Sequence, residues 1–158
     1  MRTSCSVSTA LWLLSLATAV AAQSPASIPD RARGADRVVV AQVTDLTASY
    51  ETNEYGDRLI VSHVGLSVEQ TLKGTPAGAL SLDVPGGTIA GLTLDVSHEP
   101  KMNRGDRAVV FLTTNKAGKY VPYHGQEGVL KLDSQNRVKG TSVDLDALKQ
   151  MIADRSAR

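Results

Sequence analysis

Residues 59–72, LIVSHVGLSVEQTL, decide the fold. Successive side chains of an extended strand point to opposite faces. Ile60, Val64, Leu66, Val68 and Leu72 therefore share one side, and His63, Gly65, Ser67, Glu69 and Thr71 share the other. A helix would scatter the same apolar residues around its axis. The segment reads as a long strand with one dry and one wet face, and a strand of this length must bend, as strands do in a barrel. Gly65, lacking a Cβ, is the expected place for a bulge or strong coil.

Working outward, residues 37–44 (RVVVAQVT) are rich in β-branched side chains and read as a preceding strand. The polar link 45–58, with Tyr55-Gly56-Asp57 near its tip, is expected to join the two strands as a long hairpin arm. After the turn Lys73-Gly74-Thr75-Pro76, Leu80, Leu82 and Val84 alternate with Ser81 and Asp83 as a third strand. Pro85-Gly86-Gly87 breaks it, and Leu92, Leu94 and Val96 alternate with Thr93 and Asp95 as a fourth. Residues 107–113 (RAVVFLT) are apolar on both faces, which predicts the most buried strand. Residues 129–132 and 136–139 read as a final hairpin across Asp133-Ser134-Gln135. Leu145, Leu148 and Ile152 then form a stripe at i, i+3 and i+7, predicting a helix capped by Asp144 or Ser142. The pattern is mainly β, a closed antiparallel barrel or a sandwich, followed by one C-terminal helix.

Ahead of the first strand, Arg2, the apolar run Ala10 to Val20 and the small residues Val20-Ala21-Ala22 have the layout of a secretory signal. Cleavage is expected after Ala22. The apolar stretch is shorter than the roughly 20 residues a membrane span requires. The organisation expected is a signal peptide at 1–22, a lead at 23–34, a β-barrel domain at 35–140, and a C-terminal helix and tail at 141–158. Within the lead, Gln23 to Pro29 is expected to be poorly anchored, and Asp30 to cap a single helical turn ended by Gly34. Cys5 and Trp12 leave with the signal, so the mature chain has no thiol nucleophile, disulfide or cysteine-based metal site. It is expected to be secreted or periplasmic, with no membrane insertion after cleavage.

Charge and aromatic content narrow the function. Lys and Arg number 17 against 16 Asp and Glu, a formal charge of +1, so no bulk field recruits nucleic acid or anionic lipid. One Phe and four Tyr are few platforms for stacking bases or sugars. Ser67, in Gly65-Leu66-Ser67-Val68-Glu69, lies mid-strand, lacks the second glycine of a nucleophile elbow and reads as a surface residue. His63, on the wet face of the long strand, reads as a solvated histidine. His98, Glu99 and His124 could contribute to a polar or zinc site only if the fold brings their loops together, since zinc needs three or four converging ligands. No metal or cofactor is assigned. Pro85, Gly86 and Gly87 read first as a tight turn and second as a binding loop, because residues without a Cβ let another chain approach closely.

Three stretches carry a resemblance: Ala35-Asp36-Arg37-Val38-Val39-Val40, the strand ending Val68-Glu69-Gln70-Thr71-Leu72-Lys73-Gly74, and Gly105-Asp106-Arg107-Ala108-Val109-Val110-Phe111-Leu112. Together they resemble the β-core of netrin-like domains and tissue inhibitors of metalloproteinases. The turn Pro85-Gly86-Gly87, the stretch Pro100 to Leu112 and the segment Gln126-Glu127-Gly128 are similar to a group of secreted bacterial proteins of the same barrel type. The resemblance, over about residues 35–132, implies an OB-type five-stranded Greek-key barrel. It does not carry over the inhibitors' mechanism, which uses the amine and carbonyl of an N-terminal cysteine that the mature chain lacks.

The function expected is a non-enzymatic binding module for another secreted or envelope protein. Modulation of a secreted protease is implied by the resemblance alone. A small-molecule or metal-binding barrel and a metal-dependent hydrolase centred on His98 and His124 are the alternatives.

Overall fold

The computed structural model describes residues 27–53 and 55–156. The expected signal peptide, 1–22, lies outside them. In chain order the elements are α1 (Ile28–Gly34), β1 (Arg37–Thr52), β2 (Arg58–Lys73), β3 (Ala79–Pro85), β4 (Gly87–Ile89), β5 (Leu92–Leu94), β6 (Arg107–Thr114), β7 (Tyr120–Pro122), a short 3-10 helix (Gly125–Gly128), β8 (Val129–Lys131) and α2 (Leu145–Ser156). None of these helices is long and apolar enough to cross a membrane.

Five strands close a ring in the order β1-β2-β3-β7-β6 and back to β1. Every neighbouring pair is antiparallel except β3 with β7, which meet in parallel through Leu82 and Tyr120. This is the connectivity of the expected OB-type barrel. β8 extends the sheet on β6, while β4 and β5 form a separate two-stranded sheet.

β6 is buried on both faces, as the apolar run 107–113 predicted, and so is the stretch of β1 from Val38 to Ala41 that pairs with it. Val39, Ala41, Val43, Ala108, Val110 and Leu112 point into the barrel against Val64, Leu66 and Leu82. Val38, Val40, Val109 and Phe111 point outward, where Leu145, Leu148 and Ile152 of α2 and Ala32 of α1 cover them. Each valine, leucine, isoleucine or phenylalanine among them, taken wholly out of water, stabilises the fold by about 1.5–3 kcal/mol before entropy is counted, and each alanine by less. The helix is therefore one half of a second core, and Asp144 caps it by accepting from Ala147 N–H at 2.7 Å.

Several boundaries differ from expectation. β1 does not stop at Thr44 but runs to Thr52, because Leu46, Ala48 and Tyr50 alternate with Thr47, Ser49 and Glu51 and pair with β2 throughout. The irregularity at Gly65 lies opposite it in β1, while β2 carries extra residues of its own at Glu69 and Leu72. Val43 opposes Leu66 and Asp45 opposes Gly65, leaving Thr44 extra, with its hydroxyl donating to Gly65 O at 3.2 Å. A Cβ on Gly65 would come within 3.2 Å of Asp45 Cβ, so the glycine admits the bulge. The first helix begins at Ile28, capped by Ser27 rather than Asp30. Its C-terminal carbonyls are held by Lys73 Nζ, which donates to Ala32 O at 2.9 Å, Arg33 O at 3.0 Å and Ala35 O at 2.6 Å. The lead is thus anchored from Ser27 onward. Residues 92–96 supply only the three-residue β5, and Leu92, expected inside, is 59% exposed. Residues 132 and 138 meet in a single bridge rather than a hairpin ladder.

Candidate functional site

The Pro85-Gly86-Gly87 turn connects β3 to β4 with the backbone pressed against β2. Gly86 (φ 103°) donates to Ile60 O at 2.8 Å and accepts from the Ser62 hydroxyl at 2.7 Å. Gly87 has φ 140°, and a Cβ there would fall 2.5 Å from Ser62 Oγ and 3.3 Å from Ile60 Cγ2. Both residues must be glycine for conformation and for space. Ala90 and Gly91, both at positive φ, turn β4 into β5 as a two-residue hairpin requires. The strained Ala90 stands where glycine or asparagine is the usual choice.

Between this hairpin and the β1–β2 arm lies a cleft of about 390 Å³. Leu46, Val64, Val84, Val96 and Met102 make its lining apolar. Polar groups sit at the rim: the Thr88 and Thr93 hydroxyls bond each other at 2.8 Å, and Lys101 Nζ donates to Asp95 at 2.8 Å. Glu99, on the cleft wall, is half-buried and, among the described residues, has no hydrogen-bond or ion-pair partner for its carboxylate. Burial alone pushes its carboxyl up from the usual carboxylate range. The glycine pair that sequence singled out thus forms both a tight turn and one wall of a cleft.

The loops carrying His98 and His124 do meet. Gln126 N–H donates to His98 O at 2.6 Å, and a Cβ on Gly125 would lie 2.4 Å from the same oxygen. His98 (φ 67°) and His124 (φ 58°) both take the left-handed conformation to make the junction. The His124 ring packs on Tyr123 with centroids 4.2 Å apart. The contact is through backbone. Among the described residues, the side-chain donors of His98, Glu99 and His124 do not form a converging group of three, whereas those of Glu51, His63 and Asp83 do.

That second cluster was not visible in the sequence. His63 on β2 faces Asp83 on β3 directly, and Ser49 and Glu51 reach it from β1. His63 Nδ1 lies 2.7 Å from Asp83 Oδ1, and Nε2 lies 2.8 Å from Ser49 Oγ and 3.3 Å from Glu51 Oε1. Lys119 Nζ bridges Asp83 Oδ2 at 2.7 Å and Glu51 Oε1 at 3.0 Å. His63 is therefore half-buried and bonded at both ring nitrogens, not solvated. Burial pushes Asp83 up, but the hydrogen bonds from Lys119 and His63 outweigh it and hold the carboxyl below its usual range. Asp83 is the one buried charged residue among those described, at 8% exposure.

The cluster's chemistry is that of a closed ionic network. Lys119 occupies the cation position between the two carboxylates, so a metal would have to displace it. Ser49, His63 and Asp83 stand at nucleophile–base–carboxylate distances. Ser49 is mid-strand and paired with Val61, however, where ladder bonding leaves no turn amides to receive an oxyanion.

No family model matches the chain, and no curated protein matches it in sequence. The netrin-like resemblance rests on the motifs quoted above.

Proposed function

We propose that the chain is a secreted or periplasmic, non-enzymatic binding module that takes an extended segment of another protein at the β4–β5 hairpin. The observation that carries this reading is the apolar cleft of about 390 Å³ beside a two-stranded sheet. Among the described residues β4 and β5 pair only with each other, so their outer edges offer unpaired backbone groups next to a side-chain pocket. An added strand uses both: main-chain hydrogen bonds supply affinity, and alternate side chains entering a pocket supply specificity. Secretion is supported by Arg2, the apolar run Ala10 to Val20 and the small residues through Ala22. A secreted protease is the partner type that the netrin-like resemblance favours. With no cysteine after residue 22, contact with it would run through the hairpin rather than through zinc chelation by a cysteine terminus.

The test is a photo-crosslinking side chain placed at Thr88 on the hairpin or, for comparison, at Met151 on α2, in protein exposed to periplasmic and culture fractions of the producing cell. A discrete adduct from position 88 that re-forms with the purified partner, and is lost with Gly87→Val, is the expected result. No adduct from position 88, or the same adducts from both positions, would overturn the reading.

A further inference from the structure

The cleft is not electrically neutral. Asp95 and Lys101 at its rim neutralise one another at 2.8 Å, which leaves Glu99 as its uncompensated charge. That carboxylate is half-buried, next to the Gly125 backbone, with no partner among the described residues. A charge that has lost part of its water and gained no counter-charge is less stable than in bulk solvent, and a ligand cation offsets that loss. The remaining lining, Leu46, Val64, Val84, Val96 and Met102, suits an aliphatic stem. A lysine or arginine side chain has this construction, with an apolar chain several carbons long ending in a cation.

We infer that the cleft selects a basic side chain from the extended partner segment, laying its aliphatic stem along the apolar lining and its cation on Glu99. This rests on the binding reading above and adds the chemistry of the occupant. The edge of the β4–β5 sheet makes the source a peptide rather than a free amine, because an added strand fixes the backbone from which such a side chain enters the cleft. His98, adjacent in sequence and exposed, and Lys101, held by Asp95, are the other titratable groups beside Glu99.

The probe is the peptide acetyl-Thr-Val-Lys-Val-Thr-amide, compared with its norleucine analogue, which keeps the stem and removes the ammonium, and with free pentylamine. Amide shifts of the labelled full chain are followed at neutral pH. The expected result is movement of the Thr47, Gly87, Thr88 and Val96 amides, with the lysine peptide bound about fivefold more tightly than the norleucine one, as a half-exposed ion pair supplies. Glu99→Gln, which keeps shape and loses charge, should bring the two peptides level. If both peptides move these amides with equal affinity, the inference falls and the binding cleft stands. If neither peptide moves them, both fall. If pentylamine binds as tightly as the lysine peptide, the site is one for small amines and the peptide source is wrong.

Discussion

Asp83 is a buried carboxylate and Glu99 a half-buried one, and their surroundings drive them in opposite directions. Asp83 has Lys119 and His63 within 2.7 Å, so its folded-state carboxyl titrates lower than in the unfolded chain. Its ionised form stabilises the fold at neutral pH, and that contribution is lost as pH falls through its depressed range. Lys119→Met should lower stability at pH 7 by about 1–2 kcal/mol, because Asp83 then keeps its charge with one donor fewer. Urea midpoints measured from pH 7 downward should show the two proteins converging in acid, and parallel curves would refute the assignment. Glu99 runs the other way. Its folded carboxyl titrates higher than in the unfolded chain, so its ionisation costs stability as pH rises through that range. Glu99→Gln should therefore raise the melting temperature at pH 7 and leave it unchanged near pH 3, measured without ligand. Neither behaviour was legible in the sequence. Alternation places His63 and Asp83 on the wet faces of their strands, but only the β2–β3 register makes them neighbours, and nothing local marks Lys119 as the donor between them.

Elements were legible where one periodicity ran unbroken. The doubly apolar β6, the α2 stripe and the β2 alternation as far as Val68 appear where the residues place them, whereas extra residues at Glu69 and Leu72 break the β2 period and put Leu72 in the outer core instead of on the face of Val64 and Leu66. β1 was cut short because residues 45–58 are polar in composition, although Leu46, Ala48 and Tyr50 keep the period of two. The bulge at Thr44 then shifts that period by one residue, which disguises it. β7, three residues long, exists because it bridges β3 and β6 to close the ring, a long-range condition no local pattern carries. Because α2 closes the outer core, its central leucine matters more than its place near the chain end suggests. Leu148 is fully buried against the outward faces of β1 and β6. Leu148→Ala should destabilise the protein by about 2–4 kcal/mol, read as a shift in urea midpoint at unchanged slope. A loss below 0.5 kcal/mol, within the range of ordinary surface substitutions, would mean that α2 is not part of the folding unit.

At the scale of the whole molecule, the two cores share their walls. β1 and β6 contribute alternate side chains to the barrel interior and to the layer under the helices, so neither core can open without exposing the other. The β4–β5 hairpin stands outside this arrangement. It is a two-stranded sheet, unpaired with the ring, tied to β2 through Gly86 and carrying the exposed Leu92. Isolated two-stranded hairpins are marginal in water, so its stability is set by what lies in the cleft beside it. Native-state hydrogen exchange should therefore separate the molecule into two units. The amides of Val39, Val40, Val109 and Val110 should exchange only through global unfolding, sharing one free energy and one denaturant dependence. Those of Thr88, Ile89 and Thr93 should exchange through local opening, with little denaturant dependence and protection lower by a factor of 100 or more, since a local opening exposes far less surface than the barrel. A bound partner segment should raise protection in the hairpin alone, because ligand binding stabilises the state that binds it. Equal protection of hairpin and barrel in the free protein would show that the hairpin belongs to the rigid fold, and the cleft would then be a preformed cavity rather than one whose wall settles on its occupant.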